Sequence, residues 1–141
     1  MAIYAQTVAE FKAAAVAVNP SGRFDHGRTV DLSQQYDGDY PLIWLYPWNI
    51  QDPEDSGFLY RHPQMLVGFW ELDKPHSSNE QRKEIIARME VLKDAFIAQL
   101  KSNNKIQVSS VVSEPLYQYH NGTVTGIGVK LVYQNFDPLC P

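Results

Sequence analysis

The dipeptide Asn121-Gly122 stands between two runs of strand-forming residues, IQVSSVVSEPLYQYH before it and GTVTGIGVKLVYQNF from its glycine onward. Both residues reach positive φ at little cost, as a two-residue turn demands, so this region is expected to fold as a C-terminal β-hairpin. In the second run, alternation sends Ile127, Val129, Leu131 and Tyr133 to one face. Gly126, Gly128, Lys130 and Gln134 go to the other, with Val132 the apolar exception. The same stretch contains a G-x-G, but a dinucleotide loop needs a helix directly after its glycines, and none follows. Two glycines at i and i+2 of a strand instead mark a place that another backbone, a helix or a neighbouring subunit approaches closely.

Upstream, Val8, Phe11, Ala15 and Val18 recur at helical spacing until Asn19-Pro20, which predicts a short amphipathic helix from Gln6 to Val18. From Ser21 to Asp39, glycines and aspartates alternate with polar residues, the pattern of an ordered loop with room for one short strand. YPLIWLYP, residues 40–47, reads as a strand buried on both faces and bounded by prolines. A second strand, FLYRHPQMLVGFWELD, is interrupted at His62-Pro63 and joined to the first by the acidic loop WNIQDPEDSG. Ser77-Ser78-Asn79-Glu80 offers a capping box before a long helix whose Ile85, Met89, Leu92, Phe96 and Leu100 form one stripe, with Asn103-Asn104 as its stop. The expected fold class is therefore α+β: one antiparallel sheet packed by a short N-terminal helix and a long central helix, in a single domain over 1–141, with 136–141 an extended tail.

With 141 residues, 44% of them hydrophobic, the chain is large enough for its own core, and it has no run of about 18 apolar residues. MAIYAQTVAEF lacks the basic and apolar regions of a secretory signal, so the expected site of synthesis and work is cytoplasmic. Cys140 is the single cysteine, which excludes an internal disulfide and every multi-cysteine metal pattern. A net charge of −4 opposes general nucleic-acid binding.

Catalytic and metal patterns are equally sparse. His26, His62, His76 and His120 have no helical metal-ligand spacing, and each reads as a solvated histidine in a loop or at a strand end. No G-x-S-x-G elbow or Cys-His pairing occurs. Asp37 and Asp39, then Asp52, Glu54 and Asp55, lack the spacing of a calcium loop and read as solvated charge. Trp48 and Ile50 are unusual among the polar residues of that loop, close to Phe58 and Tyr60. Such groups either fold back as a plug or contact another chain, and the sequence leaves both open.

YPLIWLYP ahead of a strand, the helix SSNEQRKEIIARMEVLKDAFIAQL and the closing TGIGVKLVYQNFDPLC, taken with size and element order, resemble the tail-terminator and tail-to-head joining (tail completion) proteins of long-tailed bacteriophages. The resemblance covers nearly the whole chain at the level of fold. It implies a virion protein of tail or neck, not an enzyme and without cofactor or metal. Six copies would form a ring against tail-tube and neck or connector proteins, and DNA would pass through its channel without sequence-specific binding or membrane contact. The candidate self or partner contacts are Trp48, Ile50, Phe58, Tyr60, Gly126, Gly128, Leu139 and Cys140. The alternative is a small cytoplasmic enzyme or ligand-binding domain with a pocket between sheet and first helix, near His62 or His120.

Overall fold

The computed structural model describes residues 2–28, 39–53, 59–74, 76–118 and 124–136. Along them run α1 (Ile3–Val18), β1 (Arg23–His26), β2 (Leu42–Leu45), β3 (Leu59–Leu72), α2 (Asn79–Lys101), β4 (Ile106–Gln118) and β5 (Val124–Phe136). The five strands form one sheet in the order β1-β2-β3-β5-β4, so the fold is α+β.

The sheet is mixed, which corrects the expectation of a wholly antiparallel one. β1 pairs parallel to β2, from Arg23 opposite Leu42 to His26 opposite Leu45, whereas β2–β3, β3–β5 and β4–β5 are antiparallel. A short strand in a polar, glycine-containing stretch has little pattern of its own. It exists here because β2 presents a free edge and because the Pro41 carbonyl fixes its start, accepting from Arg23 N at 3.1 Å and Asn19 Nδ2 at 2.9 Å. The Asn121-Gly122 turn lies outside the described residues, as do residues 137–141 of the expected tail. Phe136, assigned to that tail, is the last residue of β5.

Ser78 starts α2. Its hydroxyl accepts from Gln81 N at 3.1 Å, and the Gln81 side chain accepts from Ser78 N at 2.7 Å, so two donors left without intrahelical partners are satisfied reciprocally. The stripe that follows buries Ile85, Met89, Phe96, Ile97 and Leu100. α1 has no side-chain cap and no acidic residue in its first turn, so its place depends on what it packs against: Phe11, Ala14 and Ala15 are buried.

Both helices lie on the same face of the sheet. Their side chains join Ile43 and Leu45 of β2, Met65, Val67 and Phe69 of β3, and Ile127, Val129, Leu131 and Tyr133 of β5 in one core. Phe11 meets Phe96 and Tyr133 edge-on, with centroids 5.6 and 5.0 Å apart. The opposite face carries a second cluster of Leu42, Trp44, Tyr46, Trp70 and Val124. All of Leu42–Leu45 is buried, as expected for a strand covered on both sides.

Two irregularities adapt the long strands. β3 runs through His62-Pro63 without ending, because a register shift between His62 and Met65 absorbs the residue that cannot donate. β4 shifts between Ser109 and Val112, where Ser110 takes a left-handed φ of 52°.

Candidate functional site

The most organised polar cluster joins α1, the segment after β2, β3 and β5. Trp48 donates from Nε1 to His62 Nδ1 at 2.8 Å, and His62 Nε2 lies 2.9 Å from Asn135 Oδ1. The Asn135 amide donates onward to Thr7 Oγ1 at 3.2 Å and to Glu10 Oε1 at 3.0 Å. Tyr133 donates its hydroxyl to the same Glu10 oxygen at 3.0 Å, and Thr7 donates to the Ile3 carbonyl at 2.9 Å.

Each direction in this cluster follows from chemistry. An indole N–H can only donate, so His62 Nδ1 is bare and its proton sits on Nε2, facing the Asn135 oxygen. His62, Thr7 and Asn135 are buried, and the chain of bonds satisfies them. Burial holds His62 below the ordinary imidazole pKa, against the opposing pulls of the Asn135 bond and the Glu10 charge. Burial, then the charge and hydrogen bond of Glu10, pushes the Tyr133 hydroxyl far upward.

The reading of His62 as a solvated histidine is therefore corrected: it is 0% exposed and bonded through both nitrogens. The sequence places it at a strand interruption before Pro63, but the bulge keeps the strand intact and turns His62 under Trp48. His26 and His76 are exposed, in line with the expectation, and His120 lies outside the described residues.

Trp48 itself folds back. Its ring stacks on Tyr4 of α1 at 4.3 Å and 7°, and it packs against the main core, half-buried. Ile50 and Tyr60 are also half-buried, and Gln51 closes a two-bond bridge to Arg61 at 2.7 and 3.0 Å. Phe58, Leu139 and Cys140 lie outside the described residues.

Gly126 and Gly128 are buried on the sheet face opposite the helices, and the close approaches they permit occur inside this chain. A Cβ at Gly126 would run into the Phe69 carbonyl oxygen of β3, and one at Gly128 would come within 2.9 Å of Leu116 Cδ1. Gly68, the register partner of Gly128, lies beneath the indole of Trp70. The glycines thus form a trough that this chain's own Trp70 and Leu116 use.

A second polar pin closes the other end of the sheet. Asp73 Oδ2 accepts from Thr125 Oγ1 at 2.6 Å and from Arg82 Nε at 2.8 Å, tying the end of β3 to β5 and α2. Burial acts to raise the Asp73 pKa, yet hydrogen bonds from Thr125, Arg82 and Ser77, with the Arg82 charge, hold it below the usual carboxylate range.

An open groove of about 350 Å³ lies between α1 and the C-terminal end of α2, bordered by Glu10, Ala13, Gln99, Asn103 and Ile106 among others. His62 does not line it. Among the described residues there is no group of three or more His, Cys, Asp or Glu placed to hold a metal, and no helix long and apolar enough to cross a membrane. The two polar clusters tie α1, β3, β5 and α2 to one another. No family model and no curated protein matches the chain.

Proposed function

We propose that the protein is a structural subunit of a long-tailed bacteriophage virion, a ring-forming tail terminator or head–tail joining protein without catalytic activity. The observation that carries this reading is the asymmetry of the sheet edges. One edge is the four-residue β1, and the other is the 13-residue β4, exposed along most of its length with Val112 at 62% and Tyr117 at 55% exposure. A long edge carrying large apolar groups on both faces is suited to a neighbouring chain, and contact between two different surfaces of identical copies generates a ring wherever its rotation closes. Pro115, Glu114 and the bulge at Ser110 interrupt that edge, which disfavours indiscriminate strand pairing while leaving a shaped contact available.

The acidic balance of −4 suits a ring, expected to hold six copies, whose channel passes DNA without gripping it. The buried histidine supports the non-enzymatic reading as well, because both of its nitrogens are committed to structure. Tail-tube and neck or connector proteins would sit above and below the ring. Native mass spectrometry of the purified protein, with cryo-electron microscopy of the particle, tests the proposal: a closed homomeric ring is the expected result, and a monomer missing from the virion would sink it.

The groove beside Glu10 favours a second reading, a ligand-binding α+β domain. A metabolite that raises the melting temperature of a monomer, and loses that effect when Ala13 is replaced by a bulkier residue, would favour it over the ring.

A further inference from the structure

We propose that His62 is a protonation-sensitive latch: in its neutral form it holds Trp48 against α1 and β5, and in its protonated form it releases the 47–50 segment. The segment is fastened at both ends independently of the histidine. Tyr46 N donates to the Leu66 carbonyl at 3.1 Å on one side, and Gln51 exchanges two backbone bonds with Arg61 on the other. Between those anchors, the Trp48 indole N–H is fastened by its bond to His62, and the ring by its stacking on Tyr4.

The latch follows from the direction of the bonds. Trp48 Nε1 can only donate, so a proton on His62 Nδ1 would place two N–H groups head-on at a 2.8 Å separation. Rotating the ring offers no escape. The other nitrogen faces Asn135 Oδ1, and the Asn135 amide is held by Thr7 and Glu10, so the exchange would leave a donor against a donor wherever the ring settled. The titratable groups that face His62 from the packed elements are Glu10 on α1 and Tyr133 on β5, whose ring meets the imidazole at 5.3 Å. Glu10 is the charged member, and the Asn135 amide stands between it and the imidazole. Arg61, next to His62 in β3, is exposed. Once the imidazole is charged, the cluster retains its bond to Asn135 and loses the one to Trp48, and Trp48 with its half-buried neighbour Ile50 is freed toward solvent.

The test is a pH titration of ¹⁵N-labelled protein by NMR, following the indole N–H signals of Trp44, Trp48 and Trp70, with Trp48 assigned by its loss in Trp48→Phe. The expected result is a one-proton transition of the Trp48 signal below neutral pH, while those of Trp44 and Trp70 stay fixed and the far-ultraviolet circular dichroism is unchanged. His62→Gln can accept from Trp48 and donate to Asn135 but cannot charge, so the transition should vanish in it. A Trp48 transition that persists in His62→Gln overturns the proposal. Should that variant not fold, the ring nitrogens of the wild-type protein decide: a doubly protonated His62 with the Trp48 bond intact overturns it equally, as does a Trp48 signal unchanged until the whole chain unfolds.

Discussion

The indole of Trp70 lies over Gly68, two residues earlier on the same strand, in the space that a Gly68 side chain would fill. Trp70 is 1% exposed, so its large ring has nowhere to retreat. Gly68→Ala is expected to cost about 1–3 kcal/mol by overpacking. Gly126→Ala meets the Phe69 backbone and should cost at least as much. Urea midpoints of the two variants check this, and a loss seen only in ring assembly, with monomer stability intact, would move the role of Gly126 to a contact between chains.

Asp73 should govern the acid limb of stability. Its folded pKa lies below the ordinary aspartate value of 3.8, so its contribution is complete above that value and disappears as pH falls through the folded pKa. Asp73→Asn is expected to lose about 1–3 kcal/mol at neutral pH, because the Arg82 and Thr125 donors lose their charged acceptor. The loss should shrink toward zero in acid, as measured by denaturation at a series of pH values.

For His62 the window is different. The folded pKa lies below 6.5, so the neutral ring favours the folded state fully above 6.5, and stability falls as pH drops from there toward the folded pKa. Wild-type urea midpoints at about pH 7.5 and pH 5.5 should therefore differ by more than those of His62→Gln, whose residue cannot titrate in that interval. Equal differences in the two proteins would remove His62 from the pH response.

Ser110 supplies a backbone test. A left-handed φ costs a non-glycine residue roughly 1–2 kcal/mol, and asparagine tolerates it better than most. Ser110→Asn is expected to leave stability unchanged or slightly raised, whereas Ser110→Val should lower it by about 1–2 kcal/mol. Thermal melts of both variants distinguish this from a merely exposed, neutral position.

How much of this was legible depended on whether a residue's role is local. α2 announced itself because capping and the three-to-four spacing are both encoded within a few residues; only the cap's exact place, at Ser78, and the burial of Ile97 needed coordinates. The face assignment of β5 was legible for the same reason, since alternation alone separates Ile127 and Val129 from Gly126 and Gly128. For β1 the sequence showed only room for one short strand between Ser21 and Asp39, not its place or its parallel pairing, because four half-polar residues become a strand only through a partner 19 positions away. The Trp48–His62–Asn135–Glu10 cluster was beyond reach as well: its members span 125 positions from Glu10 to Asn135, and a histidine before a proline carries no sign of burial. The glycine pair raised the right question about close approach, and the answer lay in Phe69 and Leu116 of neighbouring strands.

The place of β5 sets a condition on the chain's birth. Among the described strands it is the last to be translated, yet it stands between β3 and β4 and supplies Ile127, Val129, Leu131 and Tyr133 to the core. Until those residues leave the ribosome, β3 and β4 have no common neighbour and two long strand edges remain open. A copy released before β5 is made is thus an aggregation-prone fragment with an incomplete core and unpaired strands.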